Sequence, residues 1–183
     1  MTYQTILPDI GLSPENRSAV VLILNGLLGD VSVLYVKTRS AHWNVRGLHF
    51  HHLHGLFEEQ YGELARIGDE VAERVRILGG QPISTMTEFL EHTRLLELSP
   101  EFYPNTGAIL EDLLQCHERV IHGIRAAADV CEKKHGDVGT TDLLTGVLEK
   151  HEKMAWVLRT SLEDFMRDAG EVSPVAASQH PAS

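Results

Sequence analysis

The sequence predicts an all-α protein: a four-helix bundle whose second and third long helices are joined by a crossover carrying one short extra helix. Three observations predict this. Apolar residues recur at helical spacing over four long stretches. Helix-start and helix-stop residues bracket those stretches. No strand-like alternation of useful length appears, and no internal repeat. A chain of 183 residues is one domain, long enough to bury a full core.

The elements follow in order. Residues 1–12, with Pro8 and Gly11, read as an extended N-terminal arm. Ser13-Pro14-Glu15 is a helix start, with Ser at the cap, Pro at the first position and an acid in the first turn. Periodicity continues through Leu22, Leu27, Val31, Leu34 and Val36 to about Asn44, and Gly47 interrupts it. The second long helix runs from about Phe50 to Leu78 and stops at Gly79-Gly80-Gln81-Pro82. Ser84 to His92 makes the short helix, with Phe89 and Leu90 on its apolar side. Pro100 and Pro104 bound a loop. The third long helix spans about Thr106 to Lys134, and the fourth runs from Thr140 or Thr141 to about Asp168. The bundle thus occupies residues 13–170. The tail, 171–183, is polar and proline-containing and is expected to be disordered. The short element between helices two and three stands where a long crossover is required, which distinguishes this bundle from a simple up-and-down one.

Composition narrows the function. Sixteen basic residues against 26 acidic ones give a net charge of −10. An acidic shell attracts metal cations and repels nucleic-acid phosphates, although acidity also serves solubility alone. Cys116 and Cys131 lie in one helix and read as buried thiols in a reducing compartment. The N-terminus has no basic start leading into an apolar core. The apolar run Ala19 to Leu28 is about ten residues, too short to span a bilayer. A cytoplasmic protein without membrane contact is expected.

The strongest functional signal lies on the second helix. His54 and Glu58 are four apart, Asp69 and Glu73 are four apart, and His42 precedes His54 by 12 residues. At 100° per residue, positions 54, 58, 69 and 73 fall within about 100° on the helix wheel. Three carboxylates and an imidazole on one stripe are costly to bury unless a metal or a partner neutralises them. Glu58 and Asp69 are separated by roughly 16 Å of helix, whereas metal–ligand bonds are roughly 2 Å. One helix cannot close all four groups around one ion. A second copy, antiparallel about a point between Glu63 and Leu64, would set His54 near Glu73 and Glu58 near Asp69 of its mate. A two-fold interface permits two such equivalent sites.

Several motifs carry a family resemblance. They are His42-Trp43-Asn44-Val45 with Gly47, Phe50, Leu53-His54, Phe57-Glu58 and Asp69-x-x-Ala72-Glu73-Arg74. Further on come Glu88-Phe89-Leu90-Glu91-His92, Gly136-Asp137, Thr141-Asp142-Leu143-Leu144 and Lys150-His151 with Trp156. Over roughly residues 13–168 the chain resembles the Dps family, the miniature ferritins of starved or stressed bacteria. The resemblance implies a ferritin-like bundle, a hollow shell of twelve copies, and a ferroxidase site at each two-fold interface. Carried over position by position, His42, His54 and Glu58 come from one subunit and Asp69 and Glu73 from its mate. Family members often have Asp where this chain has Glu58, so reach and occupancy there can differ. The implied chemistry is oxidation of Fe(II) by hydrogen peroxide or dioxygen, with Fe(III) mineral stored in an acidic cavity. In the family an aromatic at Trp43 can accept an oxidising equivalent; the reading preferred here is core packing.

Other residues carry weaker signals. His49, His51 and His52 crowd the start of the second helix. They read as an exposed histidine tract, with His51 as a further ligand or a zinc trap in the alternative. His92, His117, His122, His135 and His151 are expected at the surface or at interfaces. If the family shell applies, Asp137 and Asp142 stand near a three-fold pore, Asp142 being the better candidate. Three functions share these residues: a ferroxidase cage, a bundle buffering zinc or another cation without turnover, and a DNA-compacting protein. The last needs basic arms, and residues 1–16 and 168–183 contain no Lys or Arg. The assembled, metal-free protein is therefore expected not to retard duplex DNA in a gel at low salt and neutral pH; retardation there would contradict the charge argument.

Overall fold

The computed structural model describes residues 7–97, 105–168 and 170. Among these residues lie five helices: α1 Pro14–Asn44, α2 Phe50–Ile77, the short α3 Met86–His92, α4 Thr106–Lys133 and α5 Val138–Asp168. Among the described residues there is no strand. Helix α1 packs along α2 and α4 along α5, and the two pairs close into a four-helix bundle. The expected disordered tail and the first six residues of the arm lie outside the described residues.

Local chemistry sets the helix ends. The Ser13 hydroxyl accepts a hydrogen bond from Asn16 N at 3.2 Å, with Pro14 in the first turn of α1. Helix α2 stops where Gly79 adopts φ 81°, so that Gly79 N and Gly80 N turn back to the carbonyls of Arg76 and Val75. A side chain at Gly79 would also meet Pro8, whose Cδ would lie 2.8 Å from its Cβ. The arm thus rests on the end of α2. Helix α3 carries a full capping box, in which the Thr85 hydroxyl accepts from Glu88 N and the Glu88 carboxylate accepts from Thr85 N.

The crossover is pinned to α1 at two adjacent residues. A Cβ at Gly29 would lie 3.1 Å from both Phe89 O and Thr93 N, so a side chain there would push the crossover backbone away by a few tenths of an ångström. Next to it the buried Asp30 carboxylate accepts from Thr93 Oγ1 at 3.0 Å, from Arg94 Nε at 2.8 Å and from Arg94 N. Lys37 extends this anchorage, donating to Leu96 O at 2.8 Å and pairing with Asp112 of α4. Leu90, expected on an apolar side, is 52% exposed, because the seven-residue α3 touches α1 along one edge only.

Large apolar side chains fill the centre of the bundle: Leu24 and Leu34 of α1, Phe57 and Leu64 of α2, Leu113 and Ile124 of α4, Leu144 and Leu158 of α5. Cys116 and Cys131 are free and buried, as expected. Helix α1 is long and apolar enough to cross a membrane by composition, more than the ten-residue run suggested. Over half of that segment is buried within the bundle, which accounts for its apolar character.

Three of the expected surface histidines are instead buried. His117 and His151 are 0% exposed, with their Nδ1 atoms 3.0 Å apart across the α4–α5 contact. Both Nε2 atoms are buried without a hydrogen-bond partner. Each such orphan costs about 1–3 kcal/mol. Their apolar neighbours at helical spacing, Leu113, Val120 and Ile124 on α4 and Leu144, Val147 and Leu158 on α5, mark both as core positions. Burial holds both imidazoles neutral. His117 is pushed well below its ordinary range by burial and then by its neighbour, and His151 is pushed down to about 4 by burial. His135 is also buried, and shares a hydrogen bond with Asn16 at 3.0 Å.

Helix α5 begins at Val138, ahead of both threonines that were expected to start it. The cause is Asp137. Its carboxylate accepts from Thr140 N at 2.9 Å and from Thr140 Oγ1 at 2.6 Å, capping the helix, and from Arg74 Nη2 of α2 at 2.7 Å. Asp137 is 2% exposed and turned into its own chain, which removes it as a pore residue; Asp142 is exposed.

Two predictions follow from these buried groups. Below the unfolded imidazole value of 6.5, the unfolded chain binds protons that the folded His117 and His151 refuse. Stability is full above pH 6.5 and falls as pH drops toward 4, by about 1.4 kcal/mol per pH unit for each histidine. Urea unfolding of the metal-free protein at pH 7.5 and 5.0 should show this slope, and a His117→Leu/His151→Leu variant should flatten it. Replacing Asp137 with Ala should cost about 2–4 kcal/mol by the same assay. Asp142→Ala should stay within about 0.5 kcal/mol of the parent.

Candidate metal centre

Helix α2 is unbroken from Phe50 to Ile77, so one rigid rod carries four of the five candidate ligands. Its buried stripe is Leu53, Phe57, Gln60, Leu64, Ile67, Val71 and Val75. On the helix wheel the ligand stripe is centred roughly 145° from that core stripe. Glu58, Asp69 and Glu73 are accordingly exposed, while His54 is half-buried under the end of α1.

That end of α1 supplies His42, and the two imidazoles are locked together. His42 Nδ1 lies 2.8 Å from the backbone carbonyl of His54, and His54 Nδ1 lies 2.9 Å from the carbonyl of His42. The rings stack at 3.7 Å with an interplanar angle of 20°. A carbonyl only accepts, so both Nδ1 atoms carry the proton and both Nε2 atoms keep a free lone pair. A hydrogen bond that fixes the tautomer and orients the ring is what a metal-ligating histidine requires. Phe50 stacks on His54 at 4.9 Å and Tyr61 meets His42 edge-on at 5.4 Å, so aromatic walls limit the motion of both rings.

The structure brings together His42 and His54, with Glu58 one turn further along α2. Asp69 and Glu73 stay roughly 16 Å or more beyond Glu58 along the helix. Among the described residues, no three His, Cys, Asp or Glu side chains of one chain gather at a metal position. A single chain therefore presents an imidazole end and a carboxylate end on one face, apart from each other.

The surroundings correct two readings and support one. Trp43 is 65% exposed and is not a core residue. The α1 helix turns it outward beside Arg39, whose guanidinium lies 5.1 Å from its ring and also covers Tyr35 and Tyr61 at 5.5 and 5.6 Å. His51 and His52 are exposed, as a solvated tract requires. His49 is drawn out of that tract, with its Nε2 3.2 Å from an Asp168 carboxylate oxygen. Sequence reasoning missed the role of Tyr61 as the wall of His42. Its position seven residues after His54, two turns along nearly the same face, is the signal that could have found it. It also missed the bridge from Lys150 of α5 to Glu63 and Glu70 of α2, at 3.2 and 3.0 Å. That bridge flanks the carboxylate stripe and holds the Glu63 carboxyl below its usual range, with Arg66 the larger contributor.

Comparison with known proteins agrees with this arrangement. The family model for ferritin-like domains matches residues 21–167. An uncharacterized low temperature-induced protein of Nostoc sp. is 39% identical over 173 residues, 94% of this chain and 96% of the relative. DNA protection during starvation protein 2 of Bacillus anthracis is 35% identical over 144 residues, 78% of this chain and 96% of the relative. Among solved structures, the Dps protein of Vibrio cholerae O1 superposes with a TM-score of 0.79 at 28% identity, covering 88% of this chain and 99% of that one. That structure is described as a member of a broad superfamily of ferritin-like diiron-carboxylate proteins. The bundle with its crossover helix, the imidazole pair and these matches agree: the chain belongs to the ferritin-like family, in its Dps branch.

Proposed function

We propose that this protein stores iron and protects against oxidative stress by oxidising Fe(II) at sites shared between two copies of the chain. The observation that carries this reading is the locked pair of His42 and His54, whose free Nε2 lone pairs stand beside an exposed carboxylate stripe on α2. Imidazole and carboxylate together suit ferrous iron and leave positions for an oxidant. The diiron-carboxylate description of a relative in the same fold supports the choice of metal.

In this reading His42, His54 and Glu58 of one chain face Asp69 and Glu73 of its two-fold mate. The Glu58 carboxylate and the mate's carboxylates offset the charge of the bound iron. Two Fe(II) ions give one electron each to hydrogen peroxide, which takes up two protons and leaves as two waters with two Fe(III). The two-electron route avoids releasing hydroxyl radical. Dioxygen is the alternative oxidant. The ferric product collects inside a closed shell, for which twelve copies is the family arrangement, and the net charge of −10 per chain favours cation entry. Zinc competes for the same ligands. The two free cysteines suit a reducing, cytoplasmic setting.

The test is stopped-flow oxidation of Fe(II) by the metal-free assembly, with peroxide and dioxygen supplied separately. Fast Fe(III) formation that saturates near two irons per site is expected. The His54→Ala/Asp69→Ala variant should stay assembled and lose at least roughly tenfold in initial rate. Equal rates in that variant would move the site elsewhere. A parent rate no better than buffer would favour a cage that holds zinc or another cation without turnover.

A further inference from the structure

Three oxidisable rings stand beside the imidazole pair. Tyr61 meets His42 edge-on at 5.4 Å, and Tyr35 meets Tyr61 at 6.1 Å with an interplanar angle of 88°. Trp43 follows His42 in the chain and is 65% exposed. Phenol and indole rings give up single electrons more readily than aliphatic side chains, and contacts of this length let an electron pass from ring to ring.

One cation sits against all three. The Arg39 guanidinium carbon lies 5.1 Å from the centre of the Trp43 ring, 5.5 Å from that of Tyr35 and 5.6 Å from that of Tyr61. Tyr35, Arg39 and Trp43 are four residues apart in turn, so α1 stacks them on one face. Arg39 is half-buried, and its Nη1 donates to the Tyr35 hydroxyl at 2.8 Å. Among the described residues no carboxylate pairs with it, so its charge is not cancelled within the chain.

Charge decides what this arrangement does. A neutral ring turns a negative face to the guanidinium and is stabilised by it. A ring that has lost an electron is a cation, and the same guanidinium repels it. Arg39 therefore makes each ring harder to oxidise. Tyr35 is restrained in a second way. Its oxygen accepts from Arg39, and a guanidinium has no lone pair to take the proton that an oxidised phenol sheds.

We propose that Arg39 is a guard on the metal centre, holding Tyr61, Tyr35 and Trp43 reduced while iron is oxidised beside them. The need for a guard rests on the iron-oxidation reading. A site holding one Fe(II) leaves a bound peroxide one electron short. If the nearest ring gave that electron, peroxide would become two hydroxides, leaving one Fe(III) and one ring cation. The guanidinium raises the cost of that ring cation, so the second electron is left for a second Fe(II) to give.

The experiment oxidises the assembled, metal-free protein with azide radical generated by pulse radiolysis. Each event takes one electron from a ring and leaves an azide ion. The radical is neutral, so the charge at position 39 neither attracts nor repels it. Peptide mass spectrometry reads oxidation at Trp43. The internal reference is Trp156, which is 60% exposed and, among the described residues, has no cation over its ring. The Trp43-to-Trp156 ratio should rise about two- to fivefold in Arg39→Leu, the equivalent of an exposed cation–π contact, and stay near the parent value in Arg39→Lys. Leucine keeps apolar cover beside the ring, so a role in steric cover alone would leave the ratio unchanged. If Arg39→Leu fails to assemble, Arg39→Gln makes the same neutral comparison. An unchanged ratio in the neutral variant would overturn the proposal, and so would an equal rise in Arg39→Lys. Iron takes no part in this measurement, so slow Fe(III) formation by the parent and failure of the guard are separate results.

Discussion

Helix α2 has to satisfy two opposite demands along one continuous rod. One face must vanish into the bundle, and Leu53, Phe57, Leu64, Ile67, Val71 and Val75 do so. The other face carries Glu58, Asp69 and Glu73, which water or a cation must solvate. Because the backbone between Phe50 and Ile77 is unbroken, burying the first face fixes the direction of the second. The bundle core therefore orients the candidate metal ligands, although none of them takes part in it. The rest of the architecture serves this constraint. The crossover pinned by Gly29 and Asp30 frees α4 and α5 to close the bundle, and the stacked His42 and His54 tie the end of α1 to the start of the rod.

The site is electrostatically uneven. Its imidazole end is pre-ordered by reciprocal hydrogen bonds to backbone carbonyls and by aromatic walls, so the lone pairs point where the backbone dictates. Its carboxylate end is solvated and open. A cation meeting such a surface finds the neutral donors already in place and gains most from the carboxylates, whose mutual repulsion it relieves. Lys150, bridging Glu63 and Glu70, keeps the flanking acids from adding to that repulsion.

Much of this was legible in the residues. Helix limits followed from Ser13-Pro14, from Gly79 and from the apolar periods, because capping and turn chemistry are local. The α2 stripe was legible because ligand spacing and helical pitch coincide. What escaped depended on contacts between distant segments. Asp137 reads as a free acid in sequence. Only the approach of Arg74, 63 residues earlier, turns it inward to cap α5. His117 and His151 lay at core spacing, yet their residue type argued for the surface, and it is their pairing across two helices that makes burial tolerable. Trp43 was misjudged for the opposite reason. Its size argued for the core, while its position at the end of α1 leaves it 65% exposed.

The Arg74–Asp137–Thr140 clamp has a mechanical consequence for its neighbour in sequence. Glu73 is exposed as a side chain, but its backbone belongs to a turn of α2 bolted to the first turn of α5. That turn can neither fray nor twist without breaking charge-assisted hydrogen bonds to a buried carboxylate. A ligand that one molecule lends to another normally loses freedom at the moment of docking. Here the backbone share of that loss is settled when the single chain folds. In the proposed two-fold pairing the carboxylate end would meet its mate as a finished edge, matched like a pre-cut part rather than shaped on contact.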